Sequence, residues 1–197
     1  MRINKKILKI VPYVMSFLVI ILYIPSLKGE FVWDDLTYFK YNNILTKLSL
    51  FDFRAIFESS SNYWGELLPV RDYIYILEYH FFRESPFGYH IISIILFIAS
   101  GMVLYFWIQR ILDDYLKDTG KSELTEIYPQ LGAGIALLLF YLNPIYVESV
   151  AYISGQKDAL SMLFILLSIA YLYKFGREST KKQGINLFLG ILFFYIA

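Results

Sequence analysis

Two adjacent carboxylates, Asp34 and Asp35 behind Trp33, stand seven residues beyond an uncharged run of 18 residues from Ile10 to Leu27. Just past the end of a membrane helix, an acid pair meets both lipid headgroups and water, and a carboxylate there can take up a proton. Arg71 offers a planar fork of donors suited to a phosphate or a carboxylate. His90 opens a second apolar run, where its imidazole can donate to an anion. Glu148 follows Asn143-Pro144 at the end of a third, and Lys157-Asp158 lie at the start of a fourth. Ionisable residues at such depth are expensive enough to imply a paired or functional role. Each has a plainer alternative: solvated charge for the acid pair, and a salt bridge to Asp72, Glu66 or Glu78 for Arg71. For His90 it is a satisfied interface position, and for Lys157 snorkelling to the headgroups.

The elements that must position these residues are helices in a bilayer. Of 197 residues 57% are hydrophobic, and they gather in uncharged runs rather than amphipathic stripes, which is the composition of a membrane chain. Runs from Ile10 to Leu27, Ser85 to Gln109 (25 residues) and Ile127 to Val147 (21 residues) reach the roughly 20 residues that cross a hydrocarbon core as helix. The sequence predicts an all-α membrane protein, a polytopic helical bundle with spans at about 10–27, 88–109, 128–147, 150–173 and 185–197. A long exterior loop, 28–87, joins the first two, and 1–197 form a single, incomplete transmembrane domain. Pro25-Ser26-Leu27-Lys28 lacks a small-residue cleavage pattern, so the first run reads as an uncleaved anchor.

Sidedness follows the Lys/Arg count. The N-terminus carries four, the 110–126 loop three and the 174–182 segment four, whereas 28–84 holds six in 57 residues and the 148–158 connection one. Positive charge concentrates inside, so the N-terminus is expected in the cytoplasm and the acid pair on the exterior face.

A net charge of +1 with no dense basic segment excludes a nucleic-acid surface. No cysteine means no disulfide, thiolate metal site or thiol nucleophile, and two histidines leave no His-rich metal site. No Gly-rich phosphate loop or internal repeat is present. Adjacent carboxylates allow a divalent cation, but no set of three or four ligands is visible. The exterior loop carries apolar residues in an approximate helical stripe from Leu36 through Ile44, Leu48 and Phe53 to Phe57, with many aromatics, as expected of helices lying at headgroup depth.

Ordered along the chain are Phe31-Val32-Trp33-Asp34-Asp35, Tyr38, Asn42-Asn43, Pro69-Val70-Arg71, Pro86-Phe87-Gly88-Tyr89-His90 and the stretch from Asn143-Pro144-Ile145-Tyr146-Val147-Glu148 to Gly155-Gln156-Lys157-Asp158. This set resembles the N-terminal part of the transmembrane and tetratricopeptide-repeat-containing O-mannosyltransferases and their bacterial relatives, which are membrane-embedded GT-C glycosyltransferases. The resemblance implies transfer of a sugar from a polyprenyl-phosphate donor to an acceptor hydroxyl of a protein or glycan, on the exterior or lumenal face of a bacterial cytoplasmic membrane or the ER.

By similarity to the acidic pair of related protein mannosyltransferases, Asp34 is expected as the base and Asp35 as its orienting neighbour. Adjacent helical residues point about 100° apart, so one of the two faces the reaction. Arg71, His90, Glu148, Lys157 and Asp158 are the residues expected to serve substrate and phosphate. The family continues through more spans, so the 197 residues alone are expected to be inactive. A non-catalytic scaffold or assembly subunit, and an enzyme modifying lipid or polysaccharide, are the alternatives. A transporter would put charge near the middle of the spans, which are Leu, Ile and Phe here.

Overall fold

The computed structural model describes residues 5–41, 49, 51–56, 58, 68–177 and 182–197, and among these every regular element is a helix. Helix α1 (Lys5–Tyr23) tightens into a 3-10 turn, Ile24–Lys28. A short helical stretch begins at Asp34 and widens into π-type turns over Leu36–Tyr41. Then come α2 (Pro69–Phe82), α3 (Pro86–Asp118), α4 (Tyr128–Leu142), the short α5 (Tyr146–Ala151), a 3-10 turn Ile153–Gly155, α6 (Gln156–Arg177) and α7 (Gln183–Ile196). Much of the apolar stripe expected between Leu36 and Phe57, including Ile44, Leu48 and Phe57 itself, lies outside the described residues.

Proline sets several boundaries. Pro69 and Pro86 open α2 and α3 in the first turn, where the missing N–H has no intrahelical acceptor to lose. Pro144 keeps Asn143 out of the helical region (φ −72°, ψ 118°), so α4 stops at Leu142. The Asn143 side chain accepts a hydrogen bond from Ile145 N at 3.1 Å and turns the chain into α5.

Among the described residues three helices have the length and composition to cross a membrane: Leu8–Lys28, Pro86–Asp118 and Ile153–Arg177. Tyr128–Leu142 and Gln183–Ile196 are apolar but shorter. At 1.5 Å per residue the 15 residues of α4 reach about 22 Å, short of the roughly 30 Å hydrocarbon core. The run read from the sequence as one span to Val147 is thus a helix, a proline break and a second short helix. Large apolar side chains stay exposed along the helices, Phe17, Leu139 and Phe188 among them, as lipid-facing residues do. The chain is an all-α membrane protein.

Close packing uses small residues. A Cβ on Gly101 of α3 would stand 2.4 Å from the Tyr141 ring of α4, so glycine is what lets that ring lie against α3. The Tyr141 hydroxyl donates to Ile98 O at 3.2 Å and lies 3.1 Å from Ser16 Oγ of α1, joining three helices at one point. Gly190 of α7 admits Leu172 of α6 in the same way, and Ser168 Oγ donates to its carbonyl at 2.7 Å.

A first core gathers Val19, Tyr23, Ile94, Phe97, Leu137 and Val150, among others. A second, built from Tyr38, Phe39, Ile56, Tyr75, Ile76, Tyr89 and Ile153, binds segments between α1 and α3 to α3. At the opposite end, Asp114 of α3 accepts from Arg110 Nε (3.0 Å) and the Tyr173 hydroxyl (3.1 Å), and Arg177 Nη1 meets Asp118 at 2.7 Å. Asp113 pairs with Lys117. Asp114 and Asp118 therefore pin α3 to α6 through Tyr173 and Arg177, while the Asp113 pair stays within α3.

Candidate active site

The chain leaves α1 through Gly29, whose missing side chain lets the backbone lie on His90: an added Cβ would be 2.8 Å from Nε2. Phe31 stacks on Phe39 (centroids 5.4 Å apart) and meets Tyr89 edge-on (5.5 Å), anchoring the segment to the second core. Trp33 then takes a left-handed backbone conformation, φ 46°, which a bulky residue rarely adopts. Asp35 N donates to Val32 O (3.0 Å), and Val32 N donates to Asp35 Oδ2 (3.2 Å), a reciprocal arrangement like a capping box. This turn separates the acid pair: Asp35 is 1% exposed, and Asp34 faces solvent.

Asp35 is held from far along the chain. Its Oδ1 accepts from Ser154 N at 2.8 Å and from Ser154 Oγ at 2.5 Å, across 119 residues of sequence. Burial pushes its carboxyl above the usual range, while the bonds from Ser154 and Val32 and the nearby His90 pull it back part of the way. The Ser154 and Val32 donors favour the ionised carboxylate and burial opposes it, with burial the larger effect. The Ser154 turn depends on Gly155, since a Cβ there would stand 2.8 Å from Glu148 O. Tyr152, in the same segment, sets its ring edge-on to Trp33 at 6.3 Å and lies within electrostatic reach of both carboxylates. His90 is 2% exposed, feels the Asp35 charge, and has no well-formed hydrogen bond at either nitrogen.

Arg71 is 5% exposed. It donates Nε to Asp72 Oδ1 at 2.8 Å and lays its guanidinium 5.2 Å from the Tyr38 ring centroid. Burial works against its charge, and the Asp72 carboxylate outweighs that and raises its pKa. Of the three acids weighed as its partner, Asp72 makes the bond; Glu66 lies outside the described residues.

Next to Arg71 is a cavity of about 490 Å³, bordered by the first turns of α2 and α6 and by the end of α7. Lys157, Asp158, Ser161 and Tyr195 line it. Lys157 and Asp158 do not pair with each other, and Lys157 makes no ion pair among the described residues. The cavity thus carries both signs of charge, Arg71 with its partner Asp72 behind it and Lys157 beside Asp158.

The structure thus brings Arg71, Lys157 and Asp158 to one cavity and Asp35 to His90, with Ser154 three residues from Lys157. Glu148 stands apart, exposed on α5 and away from the cavity lining. Asp34 and Asp35 diverge and do not act as a chelating pair. Among the described residues no three His, Cys, Asp or Glu side chains group so as to hold a metal ion.

Sequence reasoning missed Ser154, Tyr152 and the Glu78–Gln156 pair. Glu78 of α2, 1% exposed, accepts from Gln156 Nε2 at 2.6 Å, and burial raises its pKa to about 8. Its Oε2 and Gln156 Oε1 have no protein partner among the described residues. Its only signal in the sequence was as a possible partner for Arg71.

No family model matches the chain, and no solved structure matches it significantly. Among curated proteins, mouse (Mus musculus) protein O-mannosyl-transferase TMTC4 is 28% identical over 178 residues, covering 87% of this chain and 24% of the relative. Caenorhabditis elegans protein O-mannosyl-transferase F38B6.6 is 29% identical over 186 residues, covering 91% and 25%. Human (Homo sapiens) TMTC4 is 29% identical over 193 residues, covering 90% and 26%. The chain spans about a quarter of the length of these relatives. Over about nine tenths of its length, this membrane chain is similar to proteins named protein O-mannosyl-transferases, TMTC4 among them.

Proposed function

We propose that this chain carries part of the active site of a glycosyltransferase that moves a sugar from a polyprenyl-phosphate donor to a protein hydroxyl. The observation that carries the reading is the split acid pair. Asp35 is fixed by the main chain and side chain of Ser154, leaving the adjacent Asp34 open to solvent at the cavity end of the bundle. The relatives' names supply mannose as the sugar to test first.

In this mechanism Asp34 takes the proton of the acceptor hydroxyl as its oxygen bonds to the anomeric carbon. The bond from that carbon to the phosphate oxygen breaks, and the polyprenyl phosphate leaves with the electron pair. Arg71, Lys157 and the first turns of α2 and α6 face the phosphate and stabilise the charge it gains. Ser154 and Val32 hold Asp35, which fixes the turn that presents Asp34. His90 packs against Gly29 beside Asp35, and Glu148 has no part in the reacting geometry. The charge count puts the N-terminus in the cytoplasm and this end outside, in a bacterial cytoplasmic membrane or the lumen of the ER.

The test is transfer by the intact protein in liposomes, offered a Ser/Thr peptide with either polyprenyl-phosphate mannose or nucleotide-linked mannose. Product from the lipid donor alone is expected. Product from the nucleotide donor, or none from either, overturns the reading. The 197 residues by themselves are expected to yield none.

A further inference from the structure

We infer that Trp33, backed by Tyr152, is a stacking platform for the pyranose ring of the transferred sugar, an inference that rests on the transfer reading above. The Trp33 indole is 82% exposed, yet it is not loose: the Tyr152 ring meets it edge-on at 6.3 Å and 75°. Its backbone holds φ 46°, a conformation that glycine adopts freely and tryptophan does not. A strained aromatic kept in the open buries almost nothing for the fold. Strain that the surrounding structure maintains is a mark of functional sites.

Reach supports the assignment. The attacking oxygen must lie within about 3 Å of the base and within about 3.5 Å of the anomeric carbon. The sugar ring is then within roughly 7 Å of the Asp34 carboxylate. Trp33 is the preceding residue, its Cα about 3.8 Å from that of Asp34. A pyranose presents one face of C–H groups, and an indole face covers that patch while its hydroxyls stay hydrated. Tyr152 supplies the wall that fixes the indole plane, and it is also close to both carboxylates.

The experiment measures, for the intact protein, the ratio of Kd for bare polyprenyl phosphate to Kd for polyprenyl-phosphate mannose. It does so in the wild type, Trp33→Gly and Trp33→Phe. In the wild type the sugar is expected to tighten binding about 2- to 12-fold, the range of one aromatic contact. In Trp33→Gly the ratio falls to about one while binding of the bare lipid is kept, and Trp33→Phe retains part of the preference. Because glycine relieves the strain, the thermal midpoint of Trp33→Gly is not expected to fall. An unchanged ratio in Trp33→Gly overturns the platform and leaves the lipid donor standing. Equal weakening for both lipids makes Trp33 a membrane anchor and overturns it too, as does a large fall in midpoint. Failure of the wild type to bind either lipid removes the donor reading beneath it.

Discussion

Replacing Glu78 with Gln removes the most strongly perturbed carboxyl outside the membrane helices while keeping its shape and its acceptor for Gln156 Nε2. Glu78 has a pKa of about 8 in the folded chain against an ordinary 4.5. The folded state therefore keeps its proton over a range in which the unfolded state has lost it. Its contribution to stability is complete below pH 4.5 and is lost as the pH rises toward 8. Each unit is worth about 1.4 kcal/mol, so the loss is about 3 kcal/mol at pH 7 and about 4 kcal/mol at pH 8, where the folded group is itself half ionised. Glutamine has no proton to lose, so Glu78→Gln should gain on the wild type by these amounts as the pH rises from 4.5. At roughly 2–4 °C per kcal/mol for a chain of this size, the midpoint difference at pH 7 grows by about 6–12 °C. The assay is thermal denaturation of both proteins in the same bicelles from pH 4.5 to 8; the titration of every other group cancels in the difference. A midpoint difference that does not change with pH refutes the buried, protonated Glu78.

Ser154→Ala removes one charge-assisted donor from Asp35 and leaves the main-chain one, which should lower kcat about 10-fold or more. Because that bond holds the Asp35 pKa down, the acid limb of the pH–rate profile should also move to higher pH; a fall in rate with an unmoved limb would mean only general damage. Asp114→Asn, at the far end of α3, should lower the thermal midpoint through loss of its bonds to Arg110 and Arg177, about 1–3 kcal/mol. Transfer per folded molecule should stay normal, and a matching loss of rate would contradict the placing of the chemistry at the other end.

Helix α3 was legible because its 25 uncharged residues are a composition signal that needs no partner. The end of α4 was half legible: Pro144 was visible as a disturbance, yet hydropathy runs on to Val147 and hides the break at Leu142. The divergence of Asp34 and Asp35 followed from the angle between neighbouring helical residues, and the structure adds which one turns inward. Ser154 was invisible because its partner lies 119 residues away and a lone serine carries no pattern. Glu78 was misread for a related reason. A glutamate followed directly by Tyr79 and then by Phe81 and Phe82 looks solvated until α6 closes over it with Gln156. The Arg71–Asp72 bond likewise depends on the burial of both side chains, which spacing alone does not show.

The most direct measurement compares the transfer rate of the intact protein with that of Asp34→Asn and Asp35→Asn, each normalised to folded protein. Asparagine keeps the shape of aspartate and cannot serve as the base. The account predicts that Asp34→Asn abolishes turnover with its thermal midpoint near that of the wild type, whereas Asp35→Asn loses rate and stability together because it sits buried under Ser154. A near-normal rate in Asp34→Asn, with turnover lost only in Asp35→Asn, would contradict Asp34 as the base.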